Sequence, residues 1–142
     1  MATQIFNIKI QGYWRDKDKK SIPEHSGVYF VYVAKYNADK VIFFKLIYIG
    51  ESENVRNRII KHEKNSEWLQ YVHQGNELCF STGYVQGSDR ERVEAAYIFK
   101  HKPPINKEYV DIFPFDKSTV ISTGKTILLN TNFTVDSSFL IH

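Results

Sequence analysis

Two apolar stretches decide the fold: Gly27-Val28-Tyr29-Phe30-Val31-Tyr32-Val33 and Val41-Ile42-Phe43-Phe44-Lys45-Leu46-Ile47-Tyr48-Ile49. The first is β-branched or aromatic almost throughout, which suits a central strand buried on both faces. The segment between them, Tyr36–Lys40 (YNADK), has turn chemistry. The pair therefore reads as one long antiparallel hairpin.

Outward from the hairpin, Gly50 ends the returning strand, and Ser52 or Asn54 is placed to cap a helix. Val55, Ile59 and Ile60 give that helix an apolar stripe. Asn65-Ser66 breaks it, and Ser66 is positioned to cap a second short helix carrying Trp68, Leu69 and Val72. Leu78–Val85 reads as a third strand. Ser88-Asp89-Arg90-Glu91 has the capping-box pattern for a helix to about His101, stopped by Pro103-Pro104. Upstream, Ile5–Ile10 alternates as a strand and Arg15–Lys20 is a charged turn. Phe113–His142, rich in Thr, Ser, Ile and Phe, reads as a β-hairpin or two, with a turn at Thr123-Gly124-Lys125. The expected class is α/β (α+β): a small, mostly antiparallel central sheet flanked by helices, with a C-terminal β extension. Residues 1–25 form an N-terminal strand and basic loop, 26–107 the core, and 108–142 the extension packed on the same domain.

Composition narrows the function classes. At 142 residues and 42% apolar, the chain has the material for one domain and is not disordered. The longest apolar run, Val41–Ile49, is broken by Lys45 and falls far short of a bilayer span. There is no charged leader followed by an apolar stretch, and Cys79 is the single cysteine, so a reducing cytoplasm is the default. The lone cysteine reads as a small buried apolar residue. His25, His73, His101 and His142 show no metal-ligand spacing. Net charge is +3; residues 1–110 carry 17 basic and 13 acidic side chains, residues 111–142 carry 2 and 3. The surplus sits in the body, where Arg56, Arg58, Lys61 and Lys64 crowd one helix. Trp14 and Trp68 read as core or rim, and Lys17, Lys19 and Lys20 as a solvated loop.

Five features follow one another in order: Gly27-Val28-Tyr29, Tyr48-Ile49-Gly50, Arg58 with His62 four residues later, Glu94, and Asn106. Each alone is weak. The ordered set resembles the GIY-YIG nuclease family over about residues 26–107. The stretch between Tyr29 and Tyr48 is longer than the family usually shows, which marks a divergent member with an extended hairpin around Tyr36–Phe44.

The residues can be weighed singly. Arg58 and His62 would share one helix face, where the plain reading is a solvated basic surface. Arg is the better phosphate clamp, with its permanent charge and bidentate fork, and His titrates near neutrality. Glu94 lies in an otherwise apolar helix and needs a cation. A salt bridge to Arg90 one turn back is the plain alternative, though that order is the poorer orientation. One carboxylate, waters and a substrate phosphate suit Mg²⁺. In the family, the two tyrosine hydroxyls point into the active site and one deprotonates the attacking water. The resemblance thus implies Tyr29 as base with His62 as its rival, Tyr48 orienting water or phosphate, Arg58 stabilising phosphoryl charge, and Glu94 holding Mg²⁺ or Mn²⁺. Nearby Arg58 and the metal are expected to lower the Tyr29 pKa. Asn106 is expected to tie the helix end to the site, or to be a turn residue. Gly27 and Gly50 are expected to permit close backbone approach or simply to turn the chain. Arg56, Lys61 and Lys64 are the expected nucleic-acid contacts.

The activity implied is metal-dependent endonucleolytic hydrolysis of DNA, of a restriction, repair or recombination type, leaving 5′-phosphate and 3′-hydroxyl ends. RNA stays open as a substrate, and no membrane partner is implied. A homodimer is one way to supply target-recognition surface. The alternative is a non-catalytic nucleic-acid-binding or protein-interaction module on the same fold.

Overall fold

A computed structural model describes residues 3–139. The central hairpin forms as read. Strands β2 (Gly27–Asn37) and β3 (Lys40–Ser52) pair antiparallel from Gly27↔Ser52 to Asn37↔Lys40, turning at Ala38-Asp39. Residues 27–34 are buried on both faces. Val28, Phe30, Tyr32 and Ala34 pack into one core layer. Tyr29, Val31 and Val33 pack into the other.

Four more strands complete one six-stranded sheet in the order β3-β2-β4-β1-β5-β6. Strand β1 (Gln4–Arg15) is longer than the expected Ile5–Ile10, because it serves two partners. Gln4–Ile10 runs parallel to β5 (Ser118–Gly124), and Ile10–Arg15 runs antiparallel to β4 (Glu77–Tyr84), with a register shift between Gly12 and Trp14. This is the one parallel pair among the described residues. The charged segment after β1 is a 3-10 helix, Asp16–Ser21, rather than a bare turn. Among the described residues the C-terminal extension supplies one hairpin, β5 with β6 (Asn132–Val135), continuing the same sheet.

Helix α3 (Arg90–His101) lies on one face, burying Val93 and Ala95–Ile98 against β1, β2, β5 and β6. The short helices α1 (Val55–Ile60) and α2 (Asn65–Leu69) cover the β2–β3–β4 half of the other face, over Val31, Ile47 and Phe80. Cys79 and Trp68 are fully buried, and Trp14 is half-buried.

Three local expectations need correction. Asn54 caps α1 by accepting from Asn57 N–H, but α1 ends at Ile60, so His62 lies in the following turn and does not share a helix face with Arg58. Ser66 does not cap α2, which starts one residue earlier behind Lys64 without a side-chain cap. Ser88 likewise makes no cap: α3 starts at Arg90 behind Asp89, whose carboxylate accepts instead from Gln86 Nε2 at 2.8 Å. That local turn moves the helix start one residue past the capping-box register.

Candidate active site

The two motifs meet across the β2–β3 ladder, where Tyr29 faces Gly50 and Val31 faces Tyr48. The Tyr29 ring lies over Gly50, and a methyl group there would collide with Tyr29 Oη and Cζ. Glycine is required because no side chain fits beneath that ring. Gly27 is required for a similar reason: a Cβ there would run into the Gly83 carbonyl. Both are close-approach glycines.

Tyr29 is 1% exposed, and His62, at 6%, is its buried partner. The Lys64 backbone N–H donates to His62 Nδ1 at 3.1 Å. A ring that accepts at Nδ1 carries its neutral-state proton at Nε2, so Nε2–H donates to Tyr29 Oη at 2.6 Å. The imidazole also stacks on Trp68, with centroids 4.4 Å apart. Burial, and then the neighbouring Arg58 charge, push the His62 pKa down to about 4. It is a neutral hydrogen-bond donor at physiological pH.

Burial raises the Tyr29 phenol well above its ordinary value, Tyr48 adds to this, and Arg58 offsets only part of it. The expected lowering by Arg58 is thus outweighed by desolvation in the ligand-free protein. Tyr48 is half-buried, its ring 6.3 Å from that of Tyr29, and burial with the Glu94 charge pushes it up to about 12. Arg58 is gripped by Glu63, NH1 to Oε2 at 2.5 Å and NH2 to Oε1 at 2.6 Å.

Glu94 approaches from the opposite face, on α3. The alternative partner, Arg90, is occupied elsewhere: its Nε donates to Glu51 Oε1 at 2.8 Å and its NH1 to Ser26 Oγ at 3.0 Å. Glu94 makes no ion pair among the described residues. Burial, followed by the nearby charges of Glu51, Glu108 and Glu91, pushes its pKa up to about 8. A half-buried carboxyl in that condition holds a proton at neutral pH until a cation replaces it.

Asn106 closes the site. Its Oδ1 accepts from Ile49 N–H and its Nδ2 donates to Ile49 C=O, both at 2.9 Å, while Ile105 N–H donates to Ile47 C=O at 3.2 Å. The segment after α3 is thereby stitched to the outer edge of β3. The result is a cleft of about 400 Å³. One wall carries Tyr29, Tyr48, Arg58 and Lys64, a second Glu51, Glu91 and Glu94, and a third Asn106–Tyr109.

Five of the six expected catalytic side chains line this cleft, and His62 touches it through Tyr29. Of the expected nucleic-acid contacts only Lys64 lines it. Arg56 is paired with Glu24 and reaches the Lys20 carbonyl, and Lys61 is exposed at the end of α1. Sequence reasoning missed Glu91 and Ile98, one turn either side of Glu94 on α3, and Glu51, Lys107, Glu108 and Tyr109. Their signal was adjacency: Glu51 follows the second motif and Lys107–Tyr109 follow Asn106. His25 and His101 make hydrogen bonds within the fold, His73 is exposed, and His142 lies outside the described residues.

Residues 28–109, more than half of the chain, match the family model described as the GIY-YIG catalytic domain. The chain belongs to the GIY-YIG family. The GIY-YIG match spans both motif tyrosines, Arg58, His62, Glu94 and Asn106, and leaves β1, β5 and β6 outside it. No curated protein and no solved structure matches the chain beyond chance. GIY-YIG domains are typically endonucleases and generally use divalent metals. Among the described residues no three or more His, Cys, Asp or Glu side chains converge as a metal cage, and no helix is long and apolar enough to cross a membrane.

Proposed function

We propose that this GIY-YIG protein is a divalent-metal-dependent endonuclease that hydrolyses phosphodiesters in DNA, acting in the cytoplasm. The observation that carries the reading is Glu94, a half-buried carboxyl without an ion-pair partner, facing Tyr29, Tyr48 and Arg58 across one cleft. That donor set fits Mg²⁺ or Mn²⁺ held by a single carboxylate, with water and a substrate phosphate completing the shell. When bound, the ion would neutralise charge developing on the leaving oxygen.

The protein's own residues do the rest. Tyr29, as phenolate, takes a proton from the attacking water. The oxygen of that water bonds to phosphorus as the bond to the 3′ oxygen breaks. The leaving oxygen takes a proton from solvent, giving 5′-phosphate and 3′-hydroxyl ends, and Tyr29 returns its proton to solvent. His62 supports this as a donor, because Nε2–H stabilises negative charge on Tyr29 Oη while Nδ1 is held by the Lys64 N–H. Arg58 offers its guanidinium to the phosphoryl oxygens. Tyr48 orients the water or the phosphate, and Asn106 keeps the third wall seated on the second-motif strand.

The test is cleavage of supercoiled plasmid and branched DNA with Mg²⁺, Mn²⁺ or EDTA, with Glu94→Gln and Tyr29→Phe alongside. Metal-dependent nicking abolished by Glu94→Gln supports the reading. Cleavage that survives Glu94→Gln or EDTA overturns the metal assignment. Binding of DNA or RNA without cleavage under any metal favours a non-catalytic module.

A further inference from the structure

Arg58 lines the cleft with its bonding face already taken. Its two terminal nitrogens donate in parallel to the two carboxylate oxygens of Glu63. This is the geometry in which a guanidinium holds a phosphate. Glu63 lies in the turn between α1 and α2, and its side chain is 62% exposed. No packing obliges it to be there. Its other basic neighbour, His62 Nδ1, is 4.0 Å away, and that ring is neutral. The Arg58 bond holds the Glu63 carboxyl down to about 2, so it stays ionised across any working pH. Lys64, the other cation on that wall, is itself 3.6 Å from Glu67.

We propose that Glu63 is a resident stand-in for the substrate phosphate, one that must release Arg58 before Arg58 can take the phosphoryl oxygens. The ligand class, a backbone phosphate, rests on the nuclease reading above. The exchange is anion for anion. Arg58 is never left bare in a cleft rimmed by acids, and the substrate displaces a carboxylate rather than water. Two consequences follow. Substrate binds more weakly than Arg58 alone would allow, while the chemical step is untouched once Glu63 has left. Binding also gains little counterion release at Arg58, because the freed Glu63 collects a cation as the phosphate loses one.

The experiment compares wild type, Glu63→Gln, and Asp39→Asn at the exposed hairpin tip as a charge-matched control. Affinity for a DNA duplex is measured in EDTA across a salt series. Glu63→Gln is expected to bind about fivefold tighter, the upper range for an exposed pair, with a log–log salt slope steeper by about 0.9. With Mg²⁺, KM should fall by about the same factor and kcat hold within about twofold. Inorganic phosphate, read by thermal protection, supplies an arm that needs no nuclease: half-protection should come at about one-fifth the concentration in Glu63→Gln. Unchanged phosphate protection and salt slope in Glu63→Gln overturn the proposal, as does a loss of kcat at constant KM, which would make Glu63 a positioning residue for Arg58. An equal gain in Asp39→Asn also overturns it, by reducing the effect to net charge. If wild type neither binds nor cuts nucleic acid while the phosphate arm responds as expected, the nuclease reading falls and the role of Glu63 stands.

Discussion

Replacing Glu94 by Gln should make the metal-free protein more stable in alkali, even as it removes metal-dependent activity. The Glu94 carboxyl titrates at about 8 in the folded chain against an ordinary 4.5. The folded state therefore keeps a proton that the unfolded chain has already released. Unfolding sheds that proton between those two values, so stability is fully present below pH 4.5 and is lost as pH rises toward 8. The gap is worth at most about 5 kcal/mol at ~1.4 kcal/mol per pH unit, and partial solvent exposure of Glu94 brings the expected loss to about 2 kcal/mol. Gln mimics the neutral acid and cannot ionise, so its stability curve lacks this component. In EDTA the two proteins should agree near pH 4.5 and diverge to about 6 °C in Tm by pH 8, taking ~3 °C per kcal/mol for a chain of this size. Mg²⁺ should narrow the gap by stabilising wild type alone. Parallel melting curves from pH 5 to pH 9 in EDTA would refute the claim that Glu94 is buried without a cation.

The remaining predictions use the same geometry. Asn106→Ala strips both backbone groups of Ile49 of their partners and should lower stability by about 2 kcal/mol, read by urea denaturation with unchanged m-value. Gly50→Ala drives a methyl into the Tyr29 ring; a loss of about 1–3 kcal/mol should accompany a displaced Tyr29–His62 hydrogen bond, visible as a changed His62 Nε2–H resonance. Tyr29→Phe should reduce kcat by about 10²- to 10⁴-fold with little change in DNA affinity. With His62 held neutral down to about pH 4 and the Tyr29 phenol raised, kcat/KM should climb steadily from pH 6 to pH 9; a profile flat across that range would instead make His62 the base.

The sheet's centre was legible because it depends on short-range chemistry, and the gathering of Tyr29, Tyr48, Arg58, Glu94 and Asn106 in one cleft was legible only through the family resemblance of the ordered motifs. A strand as apolar as Gly27–Val33 has to be covered on both faces, but its register with Tyr48–Gly50 is set by the turn at Ala38-Asp39 together with two register shifts, at Val31/Tyr32 and Val33/Ala34, that no local pattern announces. What escaped the sequence was decided by contacts far along the chain. The end of α1 is one example: His62 leaves the helical path to lie on Trp68 and reach Tyr29, and no local pattern signals that. Arg90 is another, since Glu51, 39 residues earlier, takes the guanidinium that helical spacing offered to Glu94. The extra length of β1 was hidden because its first half finds its partner only at Ser118–Gly124.

That parallel pairing also bears on how the protein is made. Gln4–Ile10 cannot complete its ladder until Ser118–Gly124 has been synthesised, and the partner of the second half of β1, β4, begins only at Glu77. Of the described strands, β1 is therefore made before β2, β3 and β4 but enclosed only after all of them. Closing a loop of this span costs only slightly more free energy than a shorter one, but contacts so distant in sequence slow the search for the native state. Until Ser118–Gly124 has emerged, Phe6 and Ile8, both bound for the core, wait without a partner strand, so the α3 face of the sheet is the region where a nascent chain stalled before β5 would be vulnerable to aggregation.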